Sequence, residues 1–258
     1  MLMESGGMRE DYIVGRNPVR EALKSNRPIN KLLLARKTDT GSGQEIRMLA
    51  REKNIPVILV ERTYLDKMFP GIVHQGIIAI SAAKGYLSID ELLHSAGAEP
   101  FLFLLPELND PRNLGAIIRT AEATGVHGII ITAHRSVSLT PAAIKASAGA
   151  FEYVPLCRVT NMVQTIKYLK QKNIWIVGAH PLAKEVFWDS RLDGPVAIVI
   201  GSEGKGLGPL IRKNCDILVS LPMIGRLNSL NASVAAALLA YEVFRQRRLA
   251  SHGRATDC

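Results

Sequence analysis

Apolar runs of strand length alternate with segments of helical periodicity between Tyr12 and Ala83. The pattern predicts helices over residues 18–25, 44–53 and 63–68, and strands over residues 31–35, 56–60 and 76–81. Such alternation is typical of a small α/β sandwich. Residues 1–10 show no comparable periodicity, and we expect them to form a flexible tail.

The apolar runs in the second part of the chain are more continuous. Residues 85–99 are polar and are predicted to form a linker with a short helix over 89–94. Strands are then predicted over 101–105, 128–132, 174–178, 196–201 and 217–221. Strands that are apolar on both faces, separated by helical segments, indicate a parallel sheet covered by helices on both sides. The sequence therefore predicts two domains, a small α/β domain over 11–84 and a parallel α/β domain over 100–258.

Composition adds a partner class to this picture. Of the 258 residues, 47% are hydrophobic and 21% are charged, which allows a substantial core and excludes global disorder. The net charge of +9 favours a polyanionic partner, of which nucleic acid is the commonest, although a basic enzyme without one remains the alternative. Seven cations of the first domain are candidates for RNA contact or for a merely solvated surface: Arg16, Arg20, Lys24, Arg27, Lys31, Arg36 and Lys37.

The cysteines, Cys157, Cys215 and Cys258, are scattered, and none belongs to a C-x-x-C pair. This spacing argues against a disulfide framework and a zinc site, and it is typical of a reducing cytoplasm. The six histidines are scattered as well, so we expect no metal. No apolar run approaches the ~18 residues of a membrane helix, and the start of the chain lacks the apolar core of a signal peptide.

Three segments carry candidate chemistry, and the first reads NDPRNLGAIIRTAEATG from Asn109 to Gly125. Asn113 is a predicted helix N-cap and Gly125 a predicted C-terminal stop. Arg119 follows Asn113 by six residues, so it lies about 120° around the helix, at the edge of any shared cleft. Considered alone, the segment is explained more simply as a capped helix with a surface arginine.

The second segment, Val199–Gly208, follows a predicted buried strand and reads VIGSEGKGLG. A glycine-dense turn lets the backbone approach a ligand closely and donate N–H groups to it. The spacing matches neither the G-x-G-x-x-G dinucleotide fingerprint nor the P-loop. Glu203 inside the turn tends to repel phosphate, whereas its carboxylate can accept hydrogen bonds from a cationic or hydroxylated ligand.

The third segment reads LPMIGRLNSLNASVAAALLAYEVFRQRR from Leu221 to Arg248. More polar residues crowd the predicted helix start than one N-terminus requires, namely Asn228, Ser229, Asn231 and Ser233. The small apolar residues that follow are typical of a tightly packed core or interface helix. Three arginines are predicted to close this helix, where the macrodipole favours cations: Arg245, Arg247 and Arg248.

Taken together, these segments resemble the SpoU (TrmH-like) branch of the SPOUT methyltransferases. The resemblance rests on N-D-P-R-N-L-G-A-I-I-R-T-A-E-A-T-G, on V-I-G-S-E-G-K-G-L, and on L-P-M-x-G-x-x-x-S-L-N-x-S-V-A-A-A with its trailing Y-E-x-x-R-Q-R. All three occur in family order and cover most of residues 101–248. The first domain, with its G-R-N-P-V-x-E-A-L opening, resembles the substrate-binding domain attached to many of these enzymes.

The resemblance implies a C-terminal domain with a deep trefoil knot, a homodimer, and methyl transfer from S-adenosylmethionine to a ribose 2′-hydroxyl of RNA. It implies cofactor contacts for Gly201, Leu221 and Leu230, largely through the backbone, with Thr132, Ser202 and Met223 as further cofactor-binding candidates. It implies a catalytic cluster of Asn113, Arg119, Glu203, Ser229 and Asn231. In the family Arg119 is often regarded as the general base, but a guanidinium stays protonated, so electrostatic stabilisation is the easier physical role.

Within the family, the two-domain layout and the G-R-N-P opening are most similar to enzymes that methylate a guanosine of 23S ribosomal RNA. One departure concerns Arg226 and Asn228, which stand where relatives often carry smaller residues. The modified nucleotide, and the choice between ribosomal RNA and tRNA, therefore stay open. Two other classes are alternatives: a non-catalytic RNA-binding or ribosome-assembly protein on the same fold, and a Rossmann dehydrogenase, against which the missing dinucleotide fingerprint counts.

Overall fold

The computed structural model describes residues 10–25, 27–82, 85–133, 139–202, 206–226 and 229–255. In chain order the elements are β1 (Glu10–Val14), α1 (Arg16–Lys24), β2 (Ile29–Ala35), α2 (Ser42–Glu52), β3 (Val57–Val60), α3 (Arg62–Met68), β4 (Ile77–Ala82) and α4 (Ile89–Ala96). They continue with β5 (Phe101–Leu105), α5 (Pro111–Thr124), β6 (Gly128–Thr132), α6 (Pro141–Ala146), β7 (Leu156–Val159), α7 (Met162–Gln171), β8 (Trp175–Ala179), β9 (Glu185–Val186), β10 (Val196–Val199), α8 (Pro209–Asn214), β11 (Ile217–Ser220) and α9 (Ala232–Ala255).

The chain divides into two compact units, and the first contains a four-stranded mixed sheet of order β1-β4-β2-β3. Strand β4 is antiparallel to β1 and β2, whereas β2 and β3 are parallel. Because side chains alternate across a strand, Leu32 and Leu34 of β2 join the core beneath α1 and α2, and Leu33 joins the core beneath α3, around Leu65. Helices on both faces of one sheet confirm the predicted α/β sandwich.

The first unit also contains residues 139–153, which the predicted boundaries assign to the second domain. Within this unit, the guanidinium of Arg27 donates to the carboxylate of Glu152 over 2.6 Å, and both side chains are almost fully buried. The hydroxyl of Tyr153 donates to Glu21 over 2.9 Å. Arg27 is therefore a poor candidate for RNA contact, because its charge is committed to a buried ion pair.

The second unit contains residues 86–138 and 154–258 and a seven-stranded, entirely parallel sheet of order β7-β6-β5-β10-β8-β11-β9. Leu92 of α4 and Ile166 of α7 pack on one face, against Leu102 and Leu104 of β5. On the other face, α5 packs against α9, and the ring of Phe101 lies beneath Arg247 of α9. The predicted parallel sheet covered on both sides is confirmed.

The strands and helices predicted from periodicity agree with the observed bounds to within two residues at either end, whereas α5 starts three residues earlier than an N-cap at Asn113 implies and α9 extends seven residues past Arg248. The sequence pattern missed β1, β7 and β9, which are short and lack a continuous apolar run. β7 includes the exposed Arg158 and forms a sheet edge. Residues 86–99, predicted as a linker, group with the second unit, and Ser88 and Glu91 form a capping box at the start of α4.

Candidate active site

The first motif starts helix α5 earlier than predicted. Asp110 is the N-cap, its side chain accepts from the backbone amide of Arg112, and Pro111 occupies the first helical turn. The predicted N-cap role of Asn113 is therefore wrong, because Asn113 lies inside the helix and is buried. Gly125 ends the helix with φ of 73°, a left-handed conformation that confirms the predicted stop.

Burial frees Asn113 for a contact that the sequence did not predict. The side-chain amide of Asn231 donates to the side-chain oxygen of Asn113 over 3.1 Å. The oxygen of Asn231 accepts from the backbone amide of Ser233 over 2.9 Å and from its hydroxyl over 2.6 Å, so Asn231 also caps α9. One side chain thus joins the third motif to the first, across 118 residues of sequence.

The other predicted catalytic residues are less closely connected. Arg119 is exposed on α5, six residues or about 9 Å along the helix axis from Asn113. It makes no hydrogen bond or ion pair within the part of the chain that the structure describes. Ser229 is exposed just before α9. Glu203 lies outside the described residues, so the geometry joins Asn113 and Asn231 but not the full predicted cluster.

The described parts of the glycine-rich second motif, residues 199–202 and 206–208, meet just beyond the carboxyl end of β10. The backbone amide of Gly206 donates to the carbonyl of Ser202 over 3.0 Å. A Cβ atom on Gly201 would lie 2.5 Å from the carbonyl oxygen of Gly206, so only glycine is accommodated there. The hydroxyl oxygen of Ser202 is buried, and no described residue partners it. This part of the motif therefore offers closely packed backbone and a buried hydroxyl that lacks a partner among the described residues.

The remaining cofactor-binding candidates lie at the same edge of the sheet or near it. Leu221 directly follows β11, two strands or about 10 Å from β10, and Met223 is exposed beyond it. Leu230 is half-buried before α9. Thr132 ends β6, and its hydroxyl donates to the carbonyl of Pro106 over 2.7 Å, which also gives it a structural role.

Sequence reasoning overlooked His180, which directly follows β8, the strand between β10 and β11. The guanidinium of Arg212 lies 3.2 Å from its Nε2. Burial, and then the charge of Arg212, lower the pKa of His180 below its ordinary value. The signal available in the sequence was its position directly after an apolar strand, at the edge where ligands of parallel sheets bind.

The trailing Y-E-x-x-R-Q-R of the third motif has a structural role. Gln246 donates to the carbonyl of Ser190, and Arg247 donates to the carbonyls of Glu99, Pro100 and Gly194. A hydrogen bond from Arg245 holds the pKa of the buried Glu242 below its ordinary value. The predicted placement of these arginines at the helix end is wrong, because α9 continues to Ala255. Gln246 and Arg247 anchor α9, the helix that starts after Asn231, to the segments around Ser190, Glu99 and Gly194.

The edge of the sheet has the properties that a backbone-bound sulfonium cofactor requires. Gly201 leaves no room for a side chain, and the buried oxygen of Ser202 lacks a partner among the described residues. The described residues hold no group of three or more His, Cys, Asp or Glu side chains suited to a metal. The described helices also include none that is long and apolar enough to cross a membrane. Fold and site define an α/β enzyme that binds a small ligand at the carboxyl ends of parallel strands.

Comparison with known proteins supplies the family. The profile of the SpoU rRNA Methylase family matches residues 100–241, and that of the RNA 2′-O ribose methyltransferase substrate-binding domain matches residues 12–87. YacO of Bacillus subtilis strain 168, assigned to the TrmH family of tRNA/rRNA methyltransferases, is 47% identical over 242 residues, which cover 93% of this chain and 97% of YacO. A relative from Staphylococcus aureus strain COL with the same family assignment is 43% identical over 243 residues, 93% of this chain and 98% of that protein.

Solved structures agree with this assignment. The SpoU methyltransferase AviRb from Streptomyces viridochromogenes, crystallised with S-adenosylmethionine, superposes with a TM-score of 0.81 at 26% identity, over 92% of this chain and 90% of AviRb. An RNA 2′-O ribose methyltransferase superposes with a TM-score of 0.76 at 26% identity, over 93% of this chain and 90% of that protein. The chain belongs to the SpoU rRNA methylase family, and it is an S-adenosylmethionine-dependent RNA ribose methyltransferase.

Proposed function

We propose that this chain methylates the ribose 2′-hydroxyl of a guanosine in 23S ribosomal RNA, in the cytoplasm. The observation that carries the proposal is the hydrogen bond between Asn113 and Asn231, which joins two family motifs beside the strand edge where Gly201 lies. The two-domain layout and the G-R-N-P opening at Gly15 support the choice of ribosomal RNA. tRNA is the second candidate, because the relatives from Bacillus and Staphylococcus carry both substrates in their family assignment.

In this proposal, backbone groups at two strand ends and just before α9 hold the cofactor. Gly201, Leu221 and Leu230 contact it, with Ser202 donating or accepting a hydrogen bond through its otherwise unpartnered hydroxyl. Thr132 and Met223 line the outer parts of the pocket. When bound, S-adenosylmethionine supplies an electrophilic methyl group on a positively charged sulfur. The groups that contact the cofactor are mostly neutral backbone, so binding at these positions does not depend on an ion pair.

The catalytic residues act on the attacking ribose oxygen. The 2′-oxygen bonds to the methyl carbon as the bond between that carbon and sulfur breaks, and the hydroxyl proton passes to solvent; negative charge therefore develops on the oxygen and must be stabilised. Arg119 holds the adjacent phosphate and stabilises this charge, since its planar guanidinium binds phosphate through two N–H groups. Asn113 and Asn231 fix the relative position of α5 and α9, while Ser229 and Glu203 orient the ribose and the arginine.

A second copy of the chain completes the site in this proposal. Val234, Leu238 and Tyr241 form an exposed stripe along one side of α9, at intervals of four and three residues. Such a stripe next to the capping Asn231 is suited to burial against the same helix of a partner. Membership of the family further supports a trefoil knot in the C-terminal domain, and β10 lies between β5 and β8 rather than in sequential order.

Methylation mapping tests the proposed substrate. Ribosomal RNA and tRNA from a strain that lacks the gene are compared with those of its parent for 2′-O-methylated positions. We expect one guanosine of 23S ribosomal RNA to lose its methyl group, and the purified protein with S-adenosylmethionine to restore it in vitro. Loss of a tRNA methyl group instead would favour the second candidate, and unchanged RNA combined with no cofactor binding would favour a non-catalytic RNA-binding protein.

A further inference from the structure

The strand register of the first unit brings four exposed cations to one end of its sheet. β1 ends opposite the start of β4, with Val14 paired to Ile78, and β2 and β3 end side by side, with Ala35 paired to Val60. The residues that follow β1, β2 and β3 therefore emerge at a single end. The exposed side chains there include Arg16, Arg36, Lys37 and Arg62, which we call the basic sheet end.

Most of this charge is not neutralised by ion pairs among the residues that the structure describes. Arg36 pairs with Glu61 over 3.3 Å, but both side chains are more than 60% exposed, so solvent screens the pair strongly. Arg16, Lys37 and Arg62 form no ion pair within the described part of the chain. In the sheet order β1-β4-β2-β3, the strands β1 and β3 lie three inter-strand distances apart, which is about 14 Å. The basic sheet end is thus an extended, positively charged surface, not a set of internal ion pairs.

A hydrogen-bonded corner at residues 74–76 holds the backbone at Arg16. His74 is buried, and its Nδ1 accepts from the backbone amide of Gly76 over 3.0 Å, so its proton resides on Nε2, which donates to Asp66 over 2.8 Å. Gln75 has a positive φ of 54°, and its side-chain oxygen accepts from the backbone amide of Arg16 over 3.0 Å. The corner therefore fixes the backbone from which Arg16 projects.

We propose that the basic sheet end is the surface through which the first unit grips the phosphate backbone of the RNA substrate. Arginine forks match phosphate oxygens, and the exposed amides of Asn17 and Gln75 between the cations can bond to ribose or base edges. A fixed backbone reduces the entropy lost when the cations engage phosphates. The proposal deepens the proposed function and rests on it, since it assumes that the polyanion is RNA.

A matched pair of charge-removal variants tests this surface. The test variant combines Arg16→Gln, Lys37→Gln and Arg62→Gln. The control combines Lys24→Gln, Arg51→Gln and Lys53→Gln, which removes the same charge from exposed positions at or beyond the carboxyl ends of α1 and α2, toward the other end of the sheet. Filter binding with deproteinised 16S and 23S ribosomal RNA and with bulk tRNA, over a range of salt, measures the dissociation constant. The melting temperature of each variant shows whether it is folded.

We expect the test variant to bind RNA about tenfold or more weakly than the wild type. The slope of the logarithm of the binding constant against the logarithm of the salt concentration should be smaller in magnitude by about two, because each phosphate contact contributes roughly 0.7 to this slope for single strands. The control should bind within about threefold of the wild type. Equal weakening in both variants, or full binding by the test variant, would overturn the proposal. Since this readout needs no methyl transfer, it stays informative if the proposed activity fails, and unchanged S-adenosylmethionine binding in the test variant excludes damage to the second unit.

Discussion

The side-chain amide of Asn231 donates to the side-chain oxygen of Asn113 over 3.1 Å, while its own oxygen caps helix α9. Asn231 therefore has two roles, the hydrogen bond to Asn113 and the cap of α9, and a substitution can remove the first while keeping the second. Serine at this position can still cap the helix, but it is too short to reach Asn113.

We expect Asn231→Ser to lower kcat about tenfold or more while leaving the melting temperature within a few degrees. Asn231→Ala should lower both, because it removes the cap as well, which typically costs about 1 kcal/mol. Single-turnover kinetics and thermal unfolding of the two variants make the comparison. Wild-type turnover in Asn231→Ser would show that the contact with Asn113 does not position the reacting groups.

Arg119 is exposed on α5, so its replacement should not disturb the fold. We expect Arg119→Lys to abolish turnover, because a lysine is a point charge that cannot reproduce the bidentate guanidinium contact with a phosphate. Binding of S-adenosylmethionine, measured by calorimetry, should stay within about twofold of the wild type. Arg112→Lys, at another exposed position of the same helix, is the control. Near-normal activity of Arg119→Lys would refute the assigned role.

Gly201 and Gly208 lie in the same loop but differ in the space around them. A Cβ on Gly201 would lie 2.3 Å from the carbonyl carbon of Gly206, whereas a Cβ on Gly208 would meet nothing within 4 Å. We expect Gly201→Ala to weaken S-adenosylmethionine binding at least tenfold, because the backbone around Gly206 must move to make room for the alanine side chain. Gly208→Ala should bind like the wild type. Calorimetric titration of each variant with S-adenosylmethionine measures the affinity. Equal affinity in both variants would contradict a role of Gly201 in cofactor binding.

The exposed stripe on α9 predicts a partner of the same sequence. We expect Leu238→Glu to convert a dimer into monomers, since a carboxylate within a buried apolar interface is strongly destabilising. Leu182→Glu, at a position that is 84% exposed outside α9, should leave the oligomeric state unchanged. Sedimentation equilibrium of both variants is the measurement. A wild-type chain that sediments as a monomer at micromolar concentration would exclude the proposed dimer.

Burial raises the pKa of the Cys157 thiol to about 11, with a further contribution from Glu91, and burial with Asp216 raises that of Cys215 to about 11. An acid whose pKa is higher in the folded state is destabilising once it must ionise. The free energy of unfolding therefore keeps its full value below about pH 9 and falls as the pH rises toward 11, because the thiols ionise more readily in the unfolded than in the folded state. In a Cys258→Ser background, we expect both thiols to resist a thiol reagent at pH 8 until denaturant is added, and the free energy of unfolding to fall between pH 9 and 11. Fast modification of the native protein would contradict the burial.

Local patterns predicted the elements of this protein well, and distant relationships poorly. The strands over 101–105 and 128–132 coincide with β5 and β6, because an apolar run of five residues has the length of a buried strand and is shorter than most buried helices. The N-cap assigned to Asn113 failed since capping propensity alone does not decide between neighbouring candidates, and Asp110 before Pro111 is the better start. His180 was missed because its position gains meaning only from the strand order.

By itself, the sequence determined the alternation of elements, the parallel sheet of the second unit and the motifs that identify the family. Only the tertiary structure decided which distant residues meet: Asn113 with Asn231, Arg27 with Glu152, and four cations at one end of the first sheet. The reason is physical. Periodicity along a chain records which face of a helix or strand is buried. Long-range packing sets the order and register of the strands, and these determine which residues lie next to that face or strand end.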